Sequence, residues 1–184
     1  MKRALDPDRL DVAAFAEAAA DLSARDPLSR YERLVSEASA PPAADATVTW
    51  QARGQQRAMP GGVANVPWLH LKAETALPMV CQRCLGPVEV PLQVDRWFRF
   101  AADEATAAIE DEDADEDVLA LGHDFNLRAL VEDELLMELP VAPRHEACPQ
   151  PVRTSAVDDD FDAAQAARPN PFAVLGKLRR DKGE

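Results

Sequence analysis

Three cysteines and one histidine are the residues whose types and spacing most clearly favour a specific chemistry. Cys81 and Cys84 form a C-x-x-C pair within MVCQRCLGP at residues 79–87, and His145 and Cys148 form an H-x-x-C pair further along the chain. Zinc in proteins prefers four tetrahedral ligands drawn from thiolates and imidazoles, and the two pairs together supply three sulfurs and one nitrogen. The sequence therefore offers Cys81, Cys84, His145 and Cys148 as a candidate zinc site.

Two other interpretations of the same cysteines stay open. A C-x-x-C pair can form a thiol–disulfide centre, but Gly86-Pro87 follows it at once and the next segment alternates like a strand. The helical context that activates such a pair is therefore not indicated. Alternatively, the cysteines are small buried hydrophobic residues and His145 is a surface residue. The spacing is less specific for zinc than two complete C-x-x-C motifs.

No other motif predicts catalysis. The chain contains neither the nucleophile elbow G-x-S-x-G nor the glycine-rich phosphate-binding motifs. The adjacent acids at 132–134 diverge on a helix, so we expect a solvated face there. His70 is interpreted as a cross-strand partner and His123 as a loop residue. The sequence is thus expected to belong to a protein that is not an enzyme.

The composition limits the classes of partner and the location. The formal net charge is −13 in 184 residues, so broad electrostatic binding to DNA is not expected. No apolar run reaches the roughly 18 residues that a membrane span needs. The N-terminus turns acidic before any hydrophobic run, and an odd number of cysteines does not fit a disulfide framework. We therefore expect a cytoplasmic protein without membrane contact.

The hydrophobic patterns predict an α+β fold. Alanine-rich sequence favours helices within residues 1–40, with a break at Asp26-Pro27. Alternating residues predict antiparallel strands at 47–53, 66–77 and 88–101, with Pro91 indicating an edge strand or a bulge and MVCQRCLGP (79–87) lying on the turn between the second and third strands. Asp124 or Asn126 can cap a helix whose apolar stripe packs on this small sheet. The stripe comprises Leu127, Leu130, Val131 and Leu135.

Two segments are expected to be mobile within one domain that spans 1–184. Residues 102–117 hold nine acids and no base, which predicts a disordered loop. This loop is either a solvated segment or a phosphate mimic that docks a basic ribosomal protein. Residues 149–184 are expected to form an extended tail with a short basic helix. A candidate RNA contact surface comprises Arg83, Arg96 and Arg99 with the tail residues Lys177, Arg179, Arg180 and Lys182.

Three motifs, in this order along the chain, resemble those of the YceD family of bacteria and plastids. They are CQRCL (81–85), LVEDELLMELPVAPRHEAC (130–148) and RPNPFAVLGKLRR (168–180), with LDP (5–7) also similar. The resemblance implies a factor for large-subunit ribosomal RNA accumulation, acting in its synthesis, processing or stability, without established enzymatic activity. Some branches of that family carry extra cysteines after the proline-rich element, whereas this chain has only Cys148 there.

The resemblance directs the expected function. It implies a non-catalytic ribosome-biogenesis factor whose partner is a ribosomal RNA precursor, or a ribosomal or processing protein. The alternatives from other classes are a zinc-stabilised protein-interaction module and a thiol–disulfide enzyme that uses Cys81 and Cys84.

Overall fold

Five strands form one sheet in the order in which they occur along the chain. In the computed structural model they are β1 (Asp21–Pro27), β2 (Thr47–Ala58), β3 (Asn65–Val80), β4 (Pro87–Ala101) and β5 (Asp117–Ala120). Neighbouring strands from β1 to β4 are antiparallel, and β5 runs parallel to β4. The structure describes residues 5–58, 65–122 and 124–150, together with Asp160, Phe161 and Phe172.

Within the described ranges up to residue 150, four α-helices accompany the sheet. They are α1 (Val12–Glu17), α2 (Glu32–Ser36), α3 (Glu104–Asp111) and α4 (Leu127–Met137), with a single 3₁₀ turn at Leu28–Arg30. The predicted α+β class, with a largely antiparallel sheet and N-terminal helices, is confirmed. None of the helices in the described ranges has the length and apolar character needed to cross a lipid bilayer.

The chain divides into two units, Met1–Cys148 and Pro149–Glu184. The single domain expected over 1–184 stays a prediction. The basic helix and the mobility predicted for the tail, and also His123, lie outside the described residues.

The alternation of residues along β3 places one side of the sheet in the core. Leu69, Leu71 and Ala73 are buried, whereas Lys72 and Glu74 between and beyond them are exposed. The core cluster also contains side chains of β2, β4 and the helices, among them Trp50 and Phe98. Pro91 of β4 pairs only with β3, since β5 joins β4 at residues 98–101, so the predicted edge position is confirmed.

Helix α4 forms as the sequence predicts. The Asn126 side chain accepts a hydrogen bond from the Ala129 amide, which satisfies a free donor in the first turn. Leu127, Val131 and Leu135 are fully buried in the core cluster, and Leu130 packs against it partly exposed. The predicted stripe therefore packs on the sheet.

The helix predicted over 12–24 is wrong beyond Glu17. The backbone turns at Ala19, whose φ of 46° is left-handed, and the chain then enters β1. Seven residues of β1 pair with β2, from Asp21↔Arg53 to Pro27↔Thr47. Pairing with a strand distant in sequence thus overrides the local helix propensity of alanine.

The disordered acidic loop predicted over 102–117 is also wrong, because this segment contains α3 and reaches β5. The Asp103 side chain caps α3 by accepting from the Thr106 amide at 2.8 Å. Glu110 and Glu116 both pair with the buried guanidinium of Arg99, and Ala107 packs against β4 and β5. A single strand cation therefore compensates part of the repulsion that the composition predicts.

A buried carboxylate ties β1 to three other parts of the fold. Asp26 accepts hydrogen bonds from Trp50 Nε1 at 3.0 Å, the Tyr31 hydroxyl at 3.1 Å and Arg128 Nε at 2.9 Å. Burial raises the pKa of Asp26, but the bonds from Trp50, Arg128 and Tyr31 outweigh it and hold that pKa below its usual value. The ionised carboxylate consequently stabilises the folded state.

We predict that Asp26→Asn lowers the free energy of unfolding at neutral pH by about 2–4 kcal/mol, because the buried carboxylate charge that accepts from Trp50, Tyr31 and the part-buried Arg128 is lost, and Arg128 keeps only Asp8 as an ionic partner among the described residues. The extra free energy of unfolding of the wild type over Asp26→Asn is fully present above the carboxyl pKa of the unfolded chain, about 4. It decreases as the pH falls through the lower pKa that Asp26 has in the folded protein. Urea titrations at several pH values measure this difference. Asp21→Asn, at an exposed pair with Arg53, is the matched control and should cost below about 1 kcal/mol. Equal losses at both positions would contradict the role of Asp26.

Candidate metal centre

The turn between β3 and β4 presents two cysteines. The Cys81 amide donates to Gly86 O at 2.9 Å, and the Leu85 amide donates to Cys81 O at 2.8 Å. Leu85 has a left-handed φ of 58° and its side chain is 75% exposed. A leucine seldom adopts this conformation, and such strain persists where surrounding contacts or a function require the turn.

The segment that follows α4 folds back onto this turn. The Gln82 amide donates to the carbonyl of the buried Pro143 at 2.8 Å. Arg83 Nη2 donates to His145 O at 2.8 Å and to Glu146 O at 3.2 Å. These backbone contacts bring the H-x-x-C pair to the C-x-x-C pair across more than sixty residues of sequence.

The four predicted ligands meet at one place. Their ligand atoms all lie within 4.8 Å of one another. Cys81 Sγ is 3.9 Å from Cys148 Sγ, and Cys84 Sγ is 3.4 Å from His145 Nδ1. Four zinc ligands at bond lengths of about 2.0–2.3 Å stand about 3.3–3.8 Å apart in a tetrahedron, so these separations suit one metal ion.

The imidazole of His145 is oriented as a metal ligand. Its Nε2 lies 2.9 Å from Pro87 O, a carbonyl that can only accept, so Nε2 carries the proton. In the neutral ring Nδ1 is then a free lone pair directed toward the thiols. Metal-bound histidines commonly donate their other ring N–H to a backbone carbonyl in this way.

The local environment favours a thiolate at Cys81. Burial raises the pKa of this thiol, but backbone amides of Cys84, His145 and Arg83 outweigh burial and lower that pKa to about 5. For Cys84, the Gly86 amide lowers the pKa, whereas burial and the neighbouring thiols raise it, and the net direction is upward. Three thiols packed together therefore resist joint ionisation unless a cation joins them.

Arg83 is part of this cluster and lies apart from Arg96 and Arg99, with which the sequence predicts an RNA contact surface. Its Nε donates to Cys148 Sγ at 3.1 Å, which raises the pKa of the guanidinium. Arg96 lies on the side of α4, 3.3 Å from Glu134. Arg99 points to the opposite side of the sheet and is buried against Glu110 and Glu116. Lys177, Arg179, Arg180 and Lys182 lie outside the described residues.

Sequence reasoning missed two features of the surroundings. The bond from His145 to Pro87 and the bond from Gln82 to Pro143 have no pattern that marks them in advance. A third feature had a readable signal: Trp68, His70 and Trp97 all occupy the polar phase of alternating strands. His70 is not simply solvated, because its ring stacks on Trp97 with centroids 4.1 Å apart.

The fold and the Cys/His cluster define a small α+β protein with a candidate Cys3His centre between a β-turn and the segment after α4. The chain belongs to the family described as large ribosomal RNA subunit accumulation protein YceD, whose pattern it matches over residues 69–179. All four candidate ligands fall within that region.

A curated relative supports the same family. The chain is 29% identical over 112 residues to the large ribosomal RNA subunit accumulation protein YceD of Haemophilus influenzae. The matched region covers 59% of this chain and 63% of that relative, so it spans less than two thirds of the relative's length. No solved structure matches the chain.

The residues after α4 that fold back onto the turn, 138–148, are called the return segment. We predict that Arg83→Ala loosens the return segment, because it removes the donors to His145 O and Glu146 O. Amide hydrogen exchange at Gln82 should accelerate about ten-fold, corresponding to a local loss of roughly 1–2 kcal/mol. Arg144→Ala is the matched control, since it removes the same charge from an exposed position in the same segment. Unchanged exchange in Arg83→Ala would show that the guanidinium does not hold the segment.

Proposed function

We propose that this protein is a non-catalytic cytoplasmic factor that supports the synthesis, processing or stability of large-subunit ribosomal RNA. Membership of the YceD family is the observation that carries the proposal. The name of the Haemophilus relative, an accumulation protein for that RNA, agrees with it. The reactive side chains gathered at the β3–β4 turn have the composition of a structural metal site, which supports a role without catalysis.

We also propose that Cys81, Cys84, His145 and Cys148 hold a structural zinc ion. Support comes from the separations of the ligand atoms, the free Nδ1 of His145 and the burial of Cys81. A structural site uses four protein ligands and leaves no position open for substrate. The ion would neutralise thiolates that otherwise repel one another.

Zinc at this place would fix the chain after α4. Residues 138–150 contain neither helix nor strand, and their contacts to the turn include the bonds of Gln82, Arg83 and His145. Four metal bonds would add to these few hydrogen bonds and hold the return segment in register. The metal would then order a surface formed by both parts of the cluster.

A thiol–disulfide enzyme is the second candidate, and the lowered pKa of Cys81 favours it. Burial argues against it, because Cys81 is 0% exposed and an incoming disulfide would have to displace the return segment to reach the sulfur. Cys81 Sγ also lies 3.9 Å from Cys148 Sγ, a thiol outside the C-x-x-C pair of such enzymes. We therefore prefer the structural zinc site.

We predict one zinc per chain in protein purified without chelator, measured by elemental analysis. Cys84→Ser and His145→Gln should each lower occupancy at limiting zinc about ten-fold or more, and metal removal should lower Tm by about 10 °C or more. His70→Gln is the matched control because it changes a histidine remote in the sheet. Metal-free protein of unchanged Tm that exchanges disulfides would instead favour the second candidate.

In cells that lack the gene, we predict a selective fall in large-subunit ribosomal RNA relative to small-subunit RNA, restored by the wild-type chain. Ratios of the two RNAs measured by quantitative hybridisation test this. Cys84→Ser should restore less, in proportion to the folded protein that remains, whereas Arg9→Gln, at an exposed pair with Asp124, should restore as well as the wild type. An unchanged RNA ratio in cells without the gene would contradict the proposed function.

A further inference from the structure

The sheet has a second surface, opposite the core, that the helices leave largely open. It consists of the odd-numbered residues 21–25, 49–57 and 93–97 and the even-numbered residues 68–74, which face the same side by strand register. We call it the open sheet face. Within the described ranges, α3 covers Arg99 just past the end of the open sheet face. Helix α1 lies on the core side of the sheet, where Phe15 packs against Gly54.

The charge of the open sheet face differs from that of the chain. Four cationic side chains, Arg25, Arg53, Arg57 and Lys72, stand on it beside the carboxylates of Asp21, Glu74 and Asp95. The whole chain carries −13, so its acidity lies elsewhere. This is a surface on which a polyanion meets no excess of negative charge.

An aromatic stack occupies one end of the open sheet face. The rings of His70 and Trp97 are parallel within 7° with centroids 4.1 Å apart, and Trp68 meets Trp97 edge to face. The Arg57 guanidinium lies 3.7 Å from the Trp97 centroid and 4.7 Å from that of Trp68. The three rings are half-buried, and aromatic rings interleaved with cations are the elements that single-stranded nucleic-acid surfaces use for base stacking.

Two polar groups in this stack lack the partners that a purely structural role would supply. Arg57 donates to Gln55 Oε1 at 3.2 Å and has no carboxylate partner among the described residues. The Trp68 Nε1 donor is shielded from solvent and has no acceptor in the described part of the chain. Such a donor is costly when unpaired, and a base carbonyl or a phosphate oxygen would satisfy it.

We propose that the open sheet face binds single-stranded RNA, with one base stacked on the indole of Trp97 where the Arg57 guanidinium now lies. Arg57 then turns to a phosphate, and Arg53 and Lys72 face the next ones once they leave their pairs with Asp21 and Asp95. This inference rests on the proposed function, because it makes ribosomal RNA the direct partner. It replaces the surface built from Arg83, Arg96 and Arg99.

The surrounding charges set the path of the strand. The cavity beside the two tryptophans, about 530 Å³, is bordered on the β5 side by Asp115, Glu116 and Asp117, which exclude phosphates there. A shallow groove of about 900 Å³ leads the other way across β4, β3, β2 and β1, past Lys72, Gln51 and Arg25, and its walls also carry Glu74 and Asp95. Strands about 4.8 Å apart give a path of about 15 Å, room for two or three nucleotides.

The test measures fluorescence anisotropy of the full chain with a short fluorescein-labelled single-stranded RNA. Trp97→Ala should weaken binding about 5- to 100-fold, and Trp97→Phe should retain most of it. Arg57→Gln should reduce the slope of log affinity against log salt concentration by about one. Arg9→Gln, at an exposed position paired with Asp124, should leave that slope unchanged. Circular dichroism melts confirm that each variant is folded.

Equal affinity of wild type and folded Trp97→Ala and Arg57→Gln would overturn the inference, as would preference for duplex over single-stranded RNA. Binding of an arginine-rich peptide in place of RNA, lost in Trp97→Ala, would also overturn it and identify a basic protein as the occupant. In either case the proposed function is tested separately, by whether the wild-type chain restores large-subunit RNA in cells that lack the gene. Loss of that restoration is a separate failure.

Discussion

The register of β3 against its two neighbours is the constraint on which the remaining structure depends. This strand pairs with β2 and with β4, for example Leu71 with Ala52 and Arg96. Because side chains alternate between faces, a slip by one residue would move Leu69 and Leu71 into water and Trp68 and His70 into the core. The same register fixes where β3 ends, and so which residues form the turn that carries Cys81 and Cys84.

The local parts of this structure could be read from the sequence. Alternation predicted β2, β3 and β4, and Asn126 with the stripe from Leu127 predicted α4. The two Cys/His pairs could be named from spacing alone. What spacing could not give was their meeting, because that depends on Pro143 and His145 returning to the turn through backbone bonds.

The wrong predictions share a physical cause. β1 was read as helix because alanine favours helices locally, whereas its pairing with β2 and the burial of Asp26 beside Trp50 are non-local. The acidic segment was read as disordered from charge alone, although Arg99 lies within reach of two of its carboxylates. Arg83, Arg96 and Arg99 were grouped by residue type, and the fold separates them among the Cys/His cluster and the two sides of the sheet. Composition gives the number of charged residues but not which of them form ion pairs in the fold.

Two regions of the sheet therefore carry the side chains with candidate functions. The turn end gathers thiols and an imidazole that suit a structural ion, and the open sheet face offers rings and cations that suit unpaired bases. The acidity of the chain does not oppose this, because several of its carboxylates are engaged with arginines inside the fold.

X-ray absorption at the zinc edge of the purified chain tests the central claim most directly, since the proposed Cys3His centre would join the hairpin to the return segment. The account predicts three sulfur neighbours at about 2.3 Å and one nitrogen at about 2.0–2.1 Å. A shell of oxygen and nitrogen alone, or thiols joined as a disulfide without metal, would contradict it.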